Sequence, residues 1–207
     1  MRSVVVFDVG ETLVDETGLW ASWAQELGVP PFTLYGVLGG LAARGEDHQR
    51  FLELVRPDLR WPYEDKRPWQ LTAADLYPDA LDCLRQLKTD GWTVVVGGNQ
   101  PAAIQRLGEE LDLPVDHVTS SGTLGATKPD PAFFRAVAAQ VGVRPEECVH
   151  VGDRVDNDVV AARVAGMLPV HVVRGPWGVL HADDSAIDLQ VRSLAELPAL
   201  LAAVRAG

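Results

Sequence analysis

After position 77 the chain alternates short, valine-rich apolar runs with amphipathic segments of ten or more residues, and this alternation constrains the fold more than any other feature. DALDCLRQLKTDG is followed by WTVVVGGN, PAAIQRLGEELDL by DHVTSS, PAFFRAVAAQVGV by ECVHVGD, and NDVVAARVAGM by LPVHVVRG, before a closing SLAELPALLAAVR. A strand buried on both faces reads as a continuous apolar run, and parallel strands need a long crossover between them, usually a helix. The pattern therefore predicts an α/β fold, a parallel sheet covered on both faces by helices. SVVVFD at the start supplies one more buried strand.

Between roughly 16 and 75 the strands disappear. LWASWAQELGV, FTLYGVLGGLAAR and HQRFLELVRP read as three amphipathic helices punctuated by Gly and Pro, ending in the Pro- and Trp-rich RWPYEDKRPWQL. The expected organisation is an α/β core formed by 1–15 and 76–207, with 16–75 inserted after the first strand and the crossings near Thr12–Thr17 and Ala74–Pro78. A chain of 207 residues suffices for one full core with such an insertion. Trp20, Trp23, Trp61 and Trp69, four of the six tryptophans, fall in or near it. Bulky residues of that kind are what a small helical unit needs for a core of its own.

A formal charge of −11 with no dense basic run would repel nucleic acid and anionic membranes, which recruit Lys/Arg patches, so neither is expected as a partner. Cys83 and Cys148 have no CxxC or Cys/His spacing and are expected to be buried thiols, not a disulfide or a zinc site. MRSVVVFDVG is interrupted too soon by Asp8 to read as a signal peptide, and no apolar run approaches the length of a membrane span. The expected location is the cytoplasm.

In an open parallel sheet, ligands bind at the carboxyl ends of the strands. Four such ends carry chemistry here: Asp8 after SVVVF, Gly98-Asn99 after TVVVG, the loop containing Lys128, and Gly152-Asp153 after ECVHV. FDVGETL, VVVGGNQ, ATKPDPAFF and HVGDRVDNDVVAARVAGM stand in the order and spacing of the haloacid dehalogenase (HAD) superfamily, which this chain resembles from end to end.

The resemblance implies a Rossmann-like parallel sheet, with the helical insertion matching the family's small α-helical cap. It also implies a Mg²⁺-dependent hydrolase, most readily a phosphatase acting on a small phosphorylated metabolite. Asp8 would be the nucleophile, forming an aspartyl-phosphate that water hydrolyses, and Lys128 the fixed ammonium. Asp8, Asp153, Asp158 and the backbone carbonyl of Gly10 would hold Mg²⁺. The physics agrees: a carboxylate attacks a phosphate dianion only where a cation and an ammonium neutralise the accumulated charge. Asp156 and Asn157, crowded at the start of a helix, read as capping residues.

Two positions depart from the family pattern. Family phosphatases usually carry a second Asp two residues after the nucleophile, which protonates the leaving oxygen and then activates water, but here that residue is Gly10. Their second motif usually ends in Ser or Thr, and here Gly98 stands before Asn99. Glu11, one residue later and one methylene longer, is the candidate replacement for the missing acid. At the second position, backbone N–H groups around Gly98 together with the Asn99 side chain are expected to meet the phosphate.

The same gaps raise other readings. Dehalogenases lack the second Asp but work without metal, which the intact GDRVDND argues against. Phosphonate-cleaving members use a cap lysine, and the one lysine of the insertion, Lys66, lies in a charged stretch, YEDKRPW. A protein that binds phosphate without efficient turnover is the competing class. His48, His117, His150, His171 and His181 show no metal or triad spacing and take no role, His150 being read as a core residue. Trp side chains of the insertion could also face the site and favour an aromatic leaving group.

Overall fold

The computed structural model describes residues 2–59 and 71–206. Lys66, Trp61 and Trp69, and with them most of RWPYEDKRPWQL, lie outside the described residues. The strands are β1 (Val4–Phe7), β2 (Thr93–Gly98), β3 (His117–Ser120), β4 (Cys148–Gly152), β5 (Leu168–Val172) and β6 (Gln190–Val191). They form a six-stranded sheet in the order β3-β2-β1-β4-β5-β6, every pairing parallel. This is the expected Rossmann-like sheet, with the first strand at its centre and one short edge strand, β6, that its two residues made invisible in the sequence.

Side chains alternate across the sheet as the two-residue period of a strand requires. Val5, Phe7, Val94, Val96, Val149 and Val151 point into one apolar layer, while Val4, Val6, Val95 and Cys148 point into the other. Both layers are apolar, so β1, β2, β4 and β5 read as valine-rich runs, while β3 (HVTS) does not; a fully buried Val or Phe contributes about 1.5–3 kcal/mol.

Three helices follow β1: α1 (Thr17–Leu27), α2 (Pro31–Ala43) and α3 (Phe51–Val55). In α1 the buried residues are Trp20, Trp23, Ala24 and Leu27, and in α2 Leu34, Leu38, Leu41 and Ala42, each set a single stripe at helical spacing. α1 stops at Gly28, whose φ of +68° is left-handed and lets the Val29 N–H reach back to Ala24 O at 2.9 Å. Pro31 occupies the first helical position of α2, where a missing N–H costs nothing. The stripes meet Phe51 in one cluster, so Trp20 and Trp23 serve the packing of the helical segment. The chain leaves and re-enters the sheet side by side: Asp15 N–H donates to Asp75 O at 2.8 Å and Tyr77 N–H to Leu13 O at 2.9 Å.

α4 (Ala80–Thr89), α5 (Leu107–Glu110) and α10 (Leu197–Ala206) cover one face of the sheet. α7 (Pro131–Gln140) and α8 (Ala161–Ala165) cover the other, with Phe133, Phe134, Ala161 and Ala162 against Val6 and Val95. Two short helices, α6 (Ser121–Leu124) and α9 (Gly175–Leu180), occupy segments that the sequence pattern leaves as loops. Trp177 of α9 packs into the apolar cluster of α1–α3.

Two expected helices differ. PAAIQRLGEELDL is not one helix but a 3₁₀ segment, Ala102–Arg106, and a single turn, α5. Its first half is exposed apart from Ile104, which is only partly buried against the core, so tertiary contacts do little to reward extension of a short helix there. NDVVAARVAGM begins with a π-helical stretch, Val155–Val160, before α8. Asp158 N–H and Val159 N–H both reach Arg154 O, at 2.8 and 3.3 Å, and this widened turn carries Asp158 inward. Cys83 and Cys148 are free and buried as expected, and burial pushes both thiols up to about 12.

Candidate active site

The central strand ends at Asp8, whose N–H is held by Val151 O of β4 at 2.9 Å. Lys128 arrives from the loop between α6 and α7 and is buried, with Nζ 2.7 Å from Asp8 Oδ1 and 2.6 Å from Asp158 Oδ1. Asp153 follows β4 and is buried beside them. One carboxylate oxygen from each of Asp8, Asp153 and Asp158 lies within 4.8 Å of the others. The structure thus brings together four residues that are separated by up to 150 positions in the chain.

Asp158 is a hub. Its Oδ1 accepts from Lys128 Nζ and from His150 Nε2 at 2.9 Å, and its Oδ2 accepts from Arg154 N–H at 3.0 Å. Its carboxyl also crowds the Cα of Gly152, where any side chain would collide with it. His150, assigned no role by the sequence, therefore anchors an acid of the site from the apolar layer, its ring edge-on to Phe134. Only the fold's return of the π-helical turn over β4 creates that contact. His171 of β5 does comparable work for Asp153: Nε2–H donates to Asp153 O at 2.8 Å, leaving Nδ1 to accept from Gln190.

The electrostatics are those of a site short of positive charge. Burial alone would lower Lys128, but Asp158 and Asp8 outweigh it and hold the ammonium above its ordinary value. Burial would raise Asp158, yet Lys128 and His150 keep it well below the usual carboxylate range. Asp8 is raised, chiefly by burial and by Asp158, against the pull of Lys128. Asp153 is raised well above the usual range by burial and by Asp158, Asp8 and Glu11. Three carboxylates facing one ammonium form an oxygen-rich pocket that fits a hard divalent cation.

The two departures from the family pattern have physical counterparts. A Cβ at position 98 would stand 2.7 Å from Asp8 Oδ1, so Gly98 is what allows the carboxylate to lie against the end of β2. Asn99 does not turn its amide to the pocket as expected: Nδ2 donates to Lys128 O, and Oδ1 accepts from Lys128 N–H, both at 2.8 Å. It holds the lysine's main chain. Glu11, with φ +51°, also differs from expectation. Its Oε2 accepts from Tyr77 O–H and its Oε1 from Glu16 N–H at 3.1 Å, so both oxygens already hold the loop that follows β1. Burial raises its carboxyl, with Tyr77 and the Glu16 N–H acting against that rise. Asp156 pairs with Arg154 in two contacts, at 3.0 and 2.6 Å, and does not cap the helix by side chain.

A carboxylate at the end of a central parallel strand, paired with a buried lysine, suits the site of a hydrolase built on an α/β fold. Residues 3–166 match the model of the haloacid dehalogenase-like hydrolases, and the chain belongs to that family. It is 31% identical to the glyceraldehyde 3-phosphate phosphatase of Methanopyrus kandleri over 95% of this chain and 96% of that protein. It is 34% identical to the protein of the same name from Pyrococcus furiosus, over 96% of this chain and 91% of that one. Among solved structures, a HAD phosphatase from Thermococcus onnurineus superposes with a TM-score of 0.61 and 26% identity, covering 97% of this chain and 98% of that one. Among the described residues no helix is long and apolar enough to cross a membrane.

Proposed function

We propose that the protein is a Mg²⁺-dependent phosphatase acting on a small phosphorylated metabolite through an aspartyl-phosphate on Asp8. The observation that carries this reading is the Lys128 ammonium bridging Asp8 and Asp158 at 2.7 and 2.6 Å, deep in a pocket of carboxylates. Phosphatase-named relatives over nearly the whole chain support it.

Asp8, Asp153 and the Gly10 carbonyl would hold Mg²⁺, with Asp158 alongside them. Once bound, the ion would supply the charge that lets a dianionic phosphate approach a carboxylate. Asp8 attacks phosphorus; Lys128 neutralises the phosphoryl oxygens as charge shifts; Asn99 keeps Lys128 in place; His150 and the Arg154 N–H keep Asp158 from drifting. Main-chain N–H groups around Gly98 meet the phosphate. Glu11 acts as a positioning residue for the loop after β1. The helices of 16–75 serve as a cap over the strand ends, the core being 1–15 and 76–207. A cytoplasmic setting fits the two free, buried thiols.

The test is Mg²⁺-dependent hydrolysis of p-nitrophenyl phosphate with Asp8→Asn as control, since nitrophenolate leaves without needing a proton. Metal-dependent turnover abolished in Asp8→Asn supports the reading. Phosphate-dependent thermal stabilisation with no turnover in either protein overturns it in favour of a phosphate-binding module.

A further inference from the structure

We propose that Glu16 is the general acid and base of this site, its carboxyl standing in the space that a side chain at position 10 would fill. The inference rests on the phosphatase reading above and deepens it.

The observation is steric. A Cβ built on Gly10 would lie 2.7 Å from Glu16 Cδ and 3.3 Å from Glu16 Oε2, and closer still to Oε1. An acid borne two residues after Asp8 would project its carboxyl into the region where Glu16 already places one. Glycine at position 10 and the glutamate at 16 are thus two halves of one arrangement: the side chain is deleted where the other enters.

The local fold explains how a residue six positions downstream arrives there. Leu13 N–H and Val14 N–H both donate to Val9 O at 3.0 Å, and Glu11 N–H donates to Val14 O at 2.7 Å. The chain doubles back, and Gly10 pairs with Val14 as an isolated bridge. Glu16 is fixed at both ends: its N–H donates to Glu11 Oε1 at 3.1 Å, and its Oε2 accepts from Trp20 Nε1–H at 3.2 Å. Oε1 is the oxygen turned towards Gly10. A partly buried carboxyl held in this way is pre-positioned, which proton transfer requires before any matter of pKa.

The steps balance. Asp8 Oδ bonds to phosphorus while the bond from phosphorus to the alcohol oxygen breaks; the electron pair goes to that oxygen, which takes the proton of the Glu16 carboxyl. Water then attacks phosphorus and gives a proton to the Glu16 carboxylate, the Asp8–phosphorus bond breaks, and the pair returns to Asp8. Phosphate leaves, and Glu16 is protonated again.

Glu16→Gln, assayed with Mg²⁺ on glycerol 2-phosphate and on p-nitrophenyl phosphate, tests this. General acid–base loss costs about 10²- to 10⁴-fold, so turnover of the alkyl ester should fall by that factor. First-turnover release of nitrophenolate should stay close to wild type and then stall, with phosphorylated Asp8 accumulating in acid-quenched samples. The double variant Gly10→Asp/Glu16→Ala should recover alkyl phosphate turnover that Glu16→Ala alone lacks. Equal losses on both esters without trapped phosphoenzyme, no loss at all, or a double variant no better than Glu16→Ala would each overturn the proposal while leaving the phosphatase reading intact. A wild-type protein silent on both esters would remove the two together.

Discussion

Asn99 clasps the peptide unit of Lys128 from both sides, its Nδ2 donating to Lys128 O and its Oδ1 accepting from Lys128 N–H, each at 2.8 Å. Through this clasp the end of β2 sets the position of a lysine 29 residues away. Asn99→Ala leaves Lys128's charge intact but its loop unanchored. A misplacement of the order of an ångström costs about 10²-fold in rate. We expect kcat on p-nitrophenyl phosphate to fall by about that factor, while Asp8 still forms its phosphorylated state in a trapping assay; unchanged kcat would contradict the positioning role.

The crowding of Asp8, Asp153 and Asp158 makes metal binding visible in stability. At a hundred times its dissociation constant, a ligand adds about 2.7 kcal/mol to folding. Mg²⁺ should therefore raise the melting temperature of the wild type, and Asp153→Asn should lose that shift. Without metal, Asp153→Asn should melt above the wild type, because one of the carboxylates whose charge is disfavoured by burial and by its neighbours has been removed. Thermal unfolding with Mg²⁺ and with a chelator reads both effects.

Restoring the family's hydroxyl at position 98 should harm the enzyme. The Cβ of Gly98→Ser would press on Asp8 Oδ1 at 2.7 Å, and the Asp8 carboxylate is the group able to yield. Stability should fall by about 1–3 kcal/mol, the usual cost of overpacking, since the displaced oxygen is held by buried Lys128. Turnover should drop with Mg²⁺ saturating. A gain in turnover would show that the carboxylate has room that the geometry denies it.

A pH-dependent stabilisation lies away from the pocket, at Asp79. Its Oδ2 accepts from Ser193 Oγ–H at 2.6 Å and Leu194 N–H at 2.9 Å, and it pairs with Arg174, whose guanidinium also donates to Thr12 O at 2.8 Å and stacks on Tyr77. Burial would raise the Asp79 carboxyl, but Ser193, Arg174 and the Leu194 N–H outweigh it and hold it below the usual range. The stabilisation is full above the unfolded value of about 3.9 and is lost as pH falls through the lower folded value. Asp79→Asn should cost about 3 kcal/mol near neutrality, because Arg174 is left buried without its partner, and should flatten the acid limb. Urea unfolding between neutral pH and pH 3 measures both.

The sheet was legible because burial on both faces makes β1, β2, β4 and β5 valine-rich runs, and Asp8, Gly98 and Asp153 at their ends were legible with it, as was Lys128 in the loop before α7. Asp158 could be found because it shares a short helical motif with Asp153. The contacts made by folding were not legible. His150 looks like any core residue until the π-helical turn lays Asp158 on it. Glu16 stands in the same short stretch as Asp8, yet its approach to Gly10 depends on a doubled-back loop that has no periodic signature. α9 was missed because GPWGVL begins with the two strongest breakers, although Pro at its first turn suits a helix start.

Trp177 gives the structure a last consequence. It belongs by sequence to the segment after β5 but sits, 6% exposed, in the apolar cluster of α1–α3, edge-on to His48 and beneath the Arg154 guanidinium. A swing of those helices away from the sheet would have to draw an indole out of its socket. Uncovering about 150 Å² of apolar surface costs about 4 kcal/mol. The splayed conformer is then on the order of one molecule in a thousand. The indole thus acts as a rivet between two distant parts of the chain, fastening α1–α3 to the segment that follows β5.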